Sequence, residues 1–371
     1  MSILRSVSRS LKRLLYPLSS RLLPHVILIS GVLAADEEPV RVFLVGDDRF
    51  LMLVRSLFVG AVAEVWRGRV PLPLLRGFLR RRSEEFGMAF ISLPIRHRRR
   101  FAPTGSRSGR VQVRQILDLS GGWAQVRSFF SRRLRESTND FERKRGLASR
   151  ISRSTEDFDH FYEHMYLPHA RVRFAGHANL LSRDKLLGSF ERGFLLLIEQ
   201  QGRVIAAALC GLRDDALVFS KGGVLDGDPS HLRAGAEVAI YYFLIRQALH
   251  LGLRELDCGR GLPFLSDGVV RHKGLWGARL YESGPEDEVF LVAEGGDRAA
   301  ARSFLSRHPI VVSVSGGLGV LAAVPAATDA DPDEELQGLF ARWRKLGLKQ
   351  AELLGPEGWQ EYDLRRPASD D

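Results

Sequence analysis

Apolar and polar positions alternate and cluster along the chain in a way that predicts an α/β protein. In the first third, Arg41–Val45 reads as a strand ending in the turn Gly46-Asp47-Asp48, and Ala89–Leu93 and Val111–Leu119 read as further strands. Pro71–Phe86 has helical spacing, Ala102–Gly109 is a Pro, Thr, Gly and Ser loop, and Gly122–Phe141 reads as one basic helix. Arg49–Val65 is apolar without a decisive period.

The middle of the chain is more legible. Thr155–Met165 reads as a helix opened by Ser154 or Thr155, and Arg183–Glu191 as another. Phe194–Glu199, Val204–Gly211 and Ala216–Lys221 are joined by short polar turns, which predicts an antiparallel meander. After a loop of Gly222, Gly223, Gly227, Asp228 and Pro229, Gly235 leads into Ala236–Leu251. That segment is apolar on nearly every side, so it predicts a helix buried against a sheet. Gly252 ends it and Leu253–Cys258 is the next strand. Beyond it come a strand (Val289–Ala293), a helix (Arg298–Arg307), a strand (Ile310–Val314), a Gly-rich turn, a helix (Glu334–Lys345) and a polar tail. Gly316-Gly317-Leu318-Gly319 lacks the full dinucleotide spacing and reads as a structural turn. The division expected is a basic segment 1–35, a first α/β domain 36–145, a second 146–285 and an extension 286–371.

Composition changes this picture little. With 45% apolar and 26% charged residues, the chain has the apolar mass for a core, and disorder as its main state is excluded. No apolar run of about 18 residues is present for a membrane span. The two cysteines, Cys210 and Cys258, exclude a disulfide scaffold and a cysteine zinc site, and suit a reducing cytoplasm. No metal-ligand spacing is found, so no metal is expected.

Charge changes it more. The net charge is +10, and the excess lies in the first half, with clusters at Arg80–Arg82, Arg96–Arg100 and Arg132–Arg135. Such a field suits either an anionic partner (a phosphorylated substrate, nucleic acid or anionic lipid) or a solvated arginine-rich surface with no partner. At the start, Ile3, Leu4, Val7, Leu11, Leu14 and Leu15 share one helical stripe, opposite Arg5, Arg9, Lys12 and Arg13. Residues 1–16 thus suit either an anionic membrane surface or docking on the protein's own core. An export signal fits less well, because Pro17, Arg21 and Pro24 break the region before the apolar stretch Val26–Ala35.

The candidate chemistry gathers after the buried helix begins. Free N–H groups at a helix start attract anions, and Arg233, Ala234, Gly235 and Ala236 form that start. The strand ending at Asp257 runs into a loop rich in Gly, Arg, Asp, His and Lys, as ligand sites at strand ends often do.

Three pieces here carry a resemblance: Gly235 opening a long apolar helix that ends at LGLRELDCG, then GRGLPFLSDGV, then RHKGLWG. Residues 233–280 resemble the core of the GNAT-like acyltransferases, in the branch of the Fem-type (FemAB-like) peptidyltransferases. RHKGLWG is similar to that branch's aromatic-Lys-x-x-aromatic-Gly motif, and FYEHMYLPHARVR (Phe161–Arg173) resembles its acceptor-side helix. The likeness covers roughly residues 130–280. It implies tandem GNAT-like domains, an α/β (α+β) fold of mixed, mostly antiparallel sheets flanked by helices, with the unit before Phe141 as a divergent first copy. Two positions depart from the pattern: Glu237 stands where ordinary acyl-CoA loops end in Gly or Ala, and His272 stands where an aromatic residue precedes the lysine.

The resemblance implies an N-acyltransferase that moves an acyl group from acyl-CoA (acetyl-CoA) to an amine, with a cytoplasmic core and a small or lipid-linked acceptor. A peripheral place at the inner face of the membrane follows if residues 1–16 bind lipid. The alternatives are an aminoacyl-tRNA donor with a cell-wall precursor as acceptor, or a non-catalytic anion-binding protein. Lys273 is the candidate cation for a leaving or phosphate oxygen. Asp257 is either a general base or a loop-ordering carboxylate paired with Arg260, and His272 either a base or a structural hydrogen-bonding group. Tyr162, Tyr166, Arg171, Arg173, Lys221, Arg260 and Asp267 are candidate substrate contacts. Core packing is the competing role for the tyrosines, and a turn for Asp267.

Overall fold

The computed structural model describes residues 23–34, 38–46, 48–93, 101–139, 141, 145–174, 180–283, 289–323 and 332–365. The amphipathic segment expected at residues 1–16 and the cluster Arg96–Arg100 lie outside the described residues. In chain order the first elements are β1 (His25–Val32), β2 (Val40–Gly46), α1 (Asp48–Arg55), β3 (Val59–Arg69), α2 (Leu72–Arg81), β4 (Met88–Leu93), β5 (Arg107–Arg110) and β6 (Gln112–Asp118). Next come α3 (Gly122–Phe129), α4 (Arg132–Asn139), β7 (Leu147–Ser152), α5 (Thr155–His160), a π-helical segment (Phe161–Tyr166), α6 (Leu167–Phe174), α7 (Arg183–Phe190), β8 (Gly193–Gln200), β9 (Arg203–Arg213) and β10 (Ala216–Val224). Then follow α8 (Pro229–Arg233), α9 (Ala236–His250), β11 (Glu255–Gly261), α10 (Gly268–Leu275) and β12 (Arg279–Ser283). The last are β13 (Val289–Glu294), α11 (Arg298–Arg307), β14 (Ile310–Val314), β15 (Gly317–Ala323), α12 (Pro332–Lys345), β16 (Gln350–Gly355) and β17 (Gly358–Asp363).

By contact the chain forms two units, residues 1–113, 261–270 and 281–371, and residues 114–260 and 271–280. The first holds a six-stranded sheet in the order β3-β1-β2-β4-β13-β5 and a four-stranded sheet β14-β15-β16-β17. Residues 286–371, expected as an extension, thus give the first sheet its strand β13, which pairs antiparallel with both β4 and β5.

Alternate residues of β1 face two cores. Ile27 and Ile29 join one with Val42, Leu44, Met88 and Phe90, while Val26 and Leu28 join another with Phe43, Val45, Ala89 and Ile91. A strand buried on both faces reads as an unbroken apolar run, which is why Val26–Ala35 also resembled the apolar part of a leader. The ambiguous stretch Arg49–Val65 divides into helix α1 and the edge strand β3. The polar tail is not a tail but the hairpin β16–β17: β16 buries Ala351, Leu353 and Leu354 but is interrupted by Glu352, and β17 is half-buried or exposed throughout. Gly316–Gly319 is the tight turn and start of the β14–β15 hairpin.

The second unit is built on the sheet β12-β6-β11-β10-β9-β8-β7, in which β8, β9 and β10 form the expected antiparallel meander. Its two faces are both covered. Phe194, Leu196, Ile198, Ala206, Ala208 and Leu217 pack with α9 through Ala239, Ile240, Leu244 and Ile245. Leu195, Leu197, Ala207 and Leu209 pack with Phe158, Phe161, Met165 and Tyr166 from the opposite face. The order of helical elements, three antiparallel strands, a buried helix and a parallel strand is the one the apolar pattern predicted. The expected helix Gly122–Phe141 breaks where Phe130 turns to extended backbone. Its ring packs edge-on against Trp276 (5.0 Å) and Trp123 (5.9 Å), and that packing overrides local helix propensity.

Candidate functional site

The second unit's central strands part. β10 and β11 run parallel and pair only at Ala216–Val218 with Glu255–Asp257. β10 continues to Val224 along β9, after a register shift between Phe219 and Lys221, while β11 continues to Gly261. Such a bulge bends a strand away from its neighbour. The inner edges beyond it no longer serve each other's backbone groups, so an extended ligand with amide groups can be held there like a strand.

Asp257 sits at the apex of the fork, buried. One of its oxygens accepts from Arg114 Nη2 (2.5 Å) and Arg213 Nη2 (3.1 Å), and the other from the Gly259 backbone N–H (3.0 Å). Its partners are thus Arg114 and Arg213 rather than the expected Arg260, and these bonds fix the carboxylate in place.

Lys273 projects from α10 and is only 3% exposed. Its Nζ donates to the Arg260 carbonyl oxygen at 2.9 Å, on the free arm of β11. The neighbouring Cys258 thiol is pushed up to about 12 by burial, against the opposing pull of Lys273. Beside them Tyr241 of α9 packs on Phe219 (5.5 Å), His272 (5.0 Å) and Trp276 (5.6 Å, stacked). The Trp276 indole N–H donates to His272 Nε2 at 3.4 Å, which leaves Nδ1 as the other nitrogen of a ring that burial holds below the usual histidine range.

Helix α9 packs on this fork through its second turn, Tyr241 against Phe219 and Ile240 beside Gly222. Gly235 takes φ +95°, a left-handed conformation suited to glycine, and no side chain caps the helix. Arg145 donates from Nη1 to the Ala234 carbonyl oxygen (3.0 Å). Arg233 is exposed at the end of α8. In the first turn of α9, Glu237 is ion-paired with Arg173 of α6. An acid there complements the helix dipole and puts the chain's own negative charge where a phosphate would bind.

The segment expected as a single helix from Phe161 to Arg173 opens with six π-helical residues, Phe161–Tyr166, a rare geometry that often marks functional sites. Its backbone crosses β10 closely: a Cβ at Gly223 would lie 2.5 Å from the Met165 carbonyl carbon. Both tyrosine hydroxyls are engaged, Tyr162 donating to the Leu181 carbonyl (3.3 Å) and Tyr166 accepting from the Leu181 N–H (3.0 Å). Lys221 follows the bulge on β10, half-buried, and burial lowers its pKa. Strand alternation places it on the face of Gly223, toward the π segment. Arg171 is exposed on α6. Asp267 falls in the first unit and caps the start of α10 by accepting from the Val270 N–H (2.9 Å).

The fold therefore brings Lys273, Asp257, His272, Arg173 and Lys221 to the fork and its covering helices. Arg114, Tyr241 and His169 were not singled out from sequence. His169 stands four residues before Arg173, one helical turn away, and that spacing was the available signal. Among the described residues no group of three His, Cys, Asp or Glu could hold a metal ion, and no helix is long and apolar enough to cross a membrane.

The chain matches no protein-family model and no curated sequence. Among solved structures it is similar to FemX, at 11% identity and TM-score 0.38, covering 71% of this chain and 83% of that one. It is also similar to L-PGS from Bacillus licheniformis, at 12% identity and TM-score 0.35, covering 76% and 84%. A third likeness is to a GCN5-related N-acetyltransferase from Kribbella flavida, at 12% identity and TM-score 0.26, covering 94% and 80%.

Proposed function

We propose that the second unit is an N-acyltransferase core that moves an acyl group from acyl-CoA to an amine. The observation that carries this is the fork: strands β10 and β11 part after three paired residues, beside the buried Lys273 and against a helix, α9, whose start no side chain caps. An extended thioester donor lies between the arms, using their unpaired backbone groups. The amine attacks the acyl carbon, negative charge develops on the carbonyl oxygen and then on the leaving sulfur, and a fixed cation such as Lys273 stabilises it. Asp257, bound by two arginines and a backbone N–H, holds the apex of the fork.

The acceptor is a small or lipid-linked amine. A lipid-linked acceptor goes with a cytoplasmic enzyme held at the inner membrane face by residues 1–16. A second reading is favoured by Glu237. With Arg173 it fills the position of a donor diphosphate, and an aminoacyl ester of tRNA needs no diphosphate there.

The test is thiol release from acetyl-CoA, and amide formation read by mass spectrometry, across a panel of primary amines, with alanyl-tRNA as the alternative donor. Lys273→Met is expected to lower turnover by about 10²-fold or more while the protein stays folded. Transfer from neither donor, or turnover untouched by Lys273→Met, contradicts the proposal.

A further inference from the structure

Among the second unit's titratable groups, most lone pairs near the fork are already committed. Asp257 accepts three hydrogen bonds, Glu237 is held by Arg173, and His272 Nε2 accepts from Trp276. The imidazole of His169 differs. It lies on α6, 9% exposed, and among the described residues no hydrogen bond or ion pair engages it. Neither of its nitrogens is among the buried atoms sealed from solvent without a partner, so the ring keeps an approach.

Several charged groups lie on α6 and the elements packed against it: Glu163 and His164 of the π segment, Lys221 of β10, Asp226 in the turn after β10, Glu237 of α9, and Arg171 and Arg173 of α6 itself. Arg173 stands one helical turn after His169 and brings Glu237 to this face of α6 through their ion pair. Glu237 favours its protonated form and Arg173 opposes it, while burial holds it below the usual histidine range. A buried imidazole kept neutral near pH 7, with a carboxylate able to compensate a new positive charge, is the arrangement of a general base.

We propose that His169 accepts the proton of the attacking amine, and that Glu237, fixed by Arg173, stabilises the imidazolium that forms. The inference rests on the acyl-transfer reading above. The amine lone pair forms the C–N bond as the carbonyl π pair moves onto oxygen. The nitrogen's extra proton passes to His169. The oxygen pair then re-forms the carbonyl, the C–S bond breaks, and the imidazolium returns its proton to the leaving thiolate. With an ester donor the C–O bond breaks and the proton goes to the alkoxide. Glu237 acts through the ring and is a positioning residue.

The test compares wild type with His169→Gln, His169→Asn and Glu237→Gln in the acetyl-CoA and alanyl-tRNA assays, with folding checked by circular dichroism. His169→Gln and His169→Asn should lose about 10²- to 10³-fold in kcat/KM with donor binding retained, and lose the acidic limb of the pH profile. Glu237→Gln should move that limb to lower pH, because the charge that favours protonation is gone. Turnover by a folded His169 variant within threefold of wild type, or with an unchanged acidic limb, overturns the assignment and leaves the transferase reading standing. No turnover by wild type with either donor overturns that reading, and this inference with it.

Discussion

β1 of the first unit and β10 of the second are both interior strands, yet they spend their residues differently. β1 is hydrogen-bonded to β2 and β3 along nearly its whole length, and its side chains enter two apolar cores. β10 has full pairing on one side only. On the other it leaves β11 after three residues and carries Phe219, Ser220, Lys221, Gly222 and Gly223 along the open edge. Where both neighbours are paired, a residue contributes mainly to stability. Where pairing stops, small and charged residues become tolerable, and backbone groups are free for a ligand.

The largest expected effect lies on the closed strand. Leu28 is fully buried in β1, so Leu28→Ala should lower unfolding free energy by about 2–5 kcal/mol, read as a shift in urea midpoint. At the apex of the fork, Asp257→Ala removes three hydrogen bonds to a buried carboxylate, two of them from arginines that are partly exposed. Allowing for solvent screening of those arginines, a loss of about 1.5–3 kcal/mol is expected. Hydrogen exchange should rise first in Ala216–Val218 and Glu255–Asp257, and unchanged exchange there would remove the apex from the account.

A smaller effect comes from pH. His169 and His272 both have folded pKa values below the ordinary histidine value, so the unfolded chain binds more protons as pH falls through about 6.5. Their contribution to stability is therefore full above that pH and declines below it. Urea midpoints at pH 7.5 and 5.5 should differ more in wild type than in the His169→Gln, His272→Asn double variant. The smallest effect is expected on the open arm. Lys221→Met removes a half-buried ammonium that burial disfavours, so stability at pH 7 should hold or rise by up to about 0.5 kcal/mol while turnover falls. A clear loss of stability would mean that Lys221 belongs to the packing.

The same contrast explains what the sequence revealed. The meander, the buried helix α9 and strand β13 were legible because their apolar runs are long and their turns polar. β3, β7 and β17 were not, because their largely exposed or half-buried residues carry no continuous apolar signal, and in β16 the buried Ala351, Leu353 and Leu354 are interrupted by Glu352. The motif around Lys273 and the positions of Arg173 and Lys221 could be read along the chain. Pairs distant in sequence could not: Arg114 with Asp257 is separated by 143 residues, and Arg173 with Glu237 by 64. The parting of β10 from β11 is a property of register, and composition does not encode it directly.

The most direct test of the fork as a donor site is calorimetric titration of the folded protein with acetyl-CoA and CoA, beside Arg233→Ala. The account predicts one-to-one binding in the micromolar range, weakened in the variant, with the donor's phosphates at the start of α9. The absence of heat from a folded wild-type protein would contradict an acyl-CoA donor.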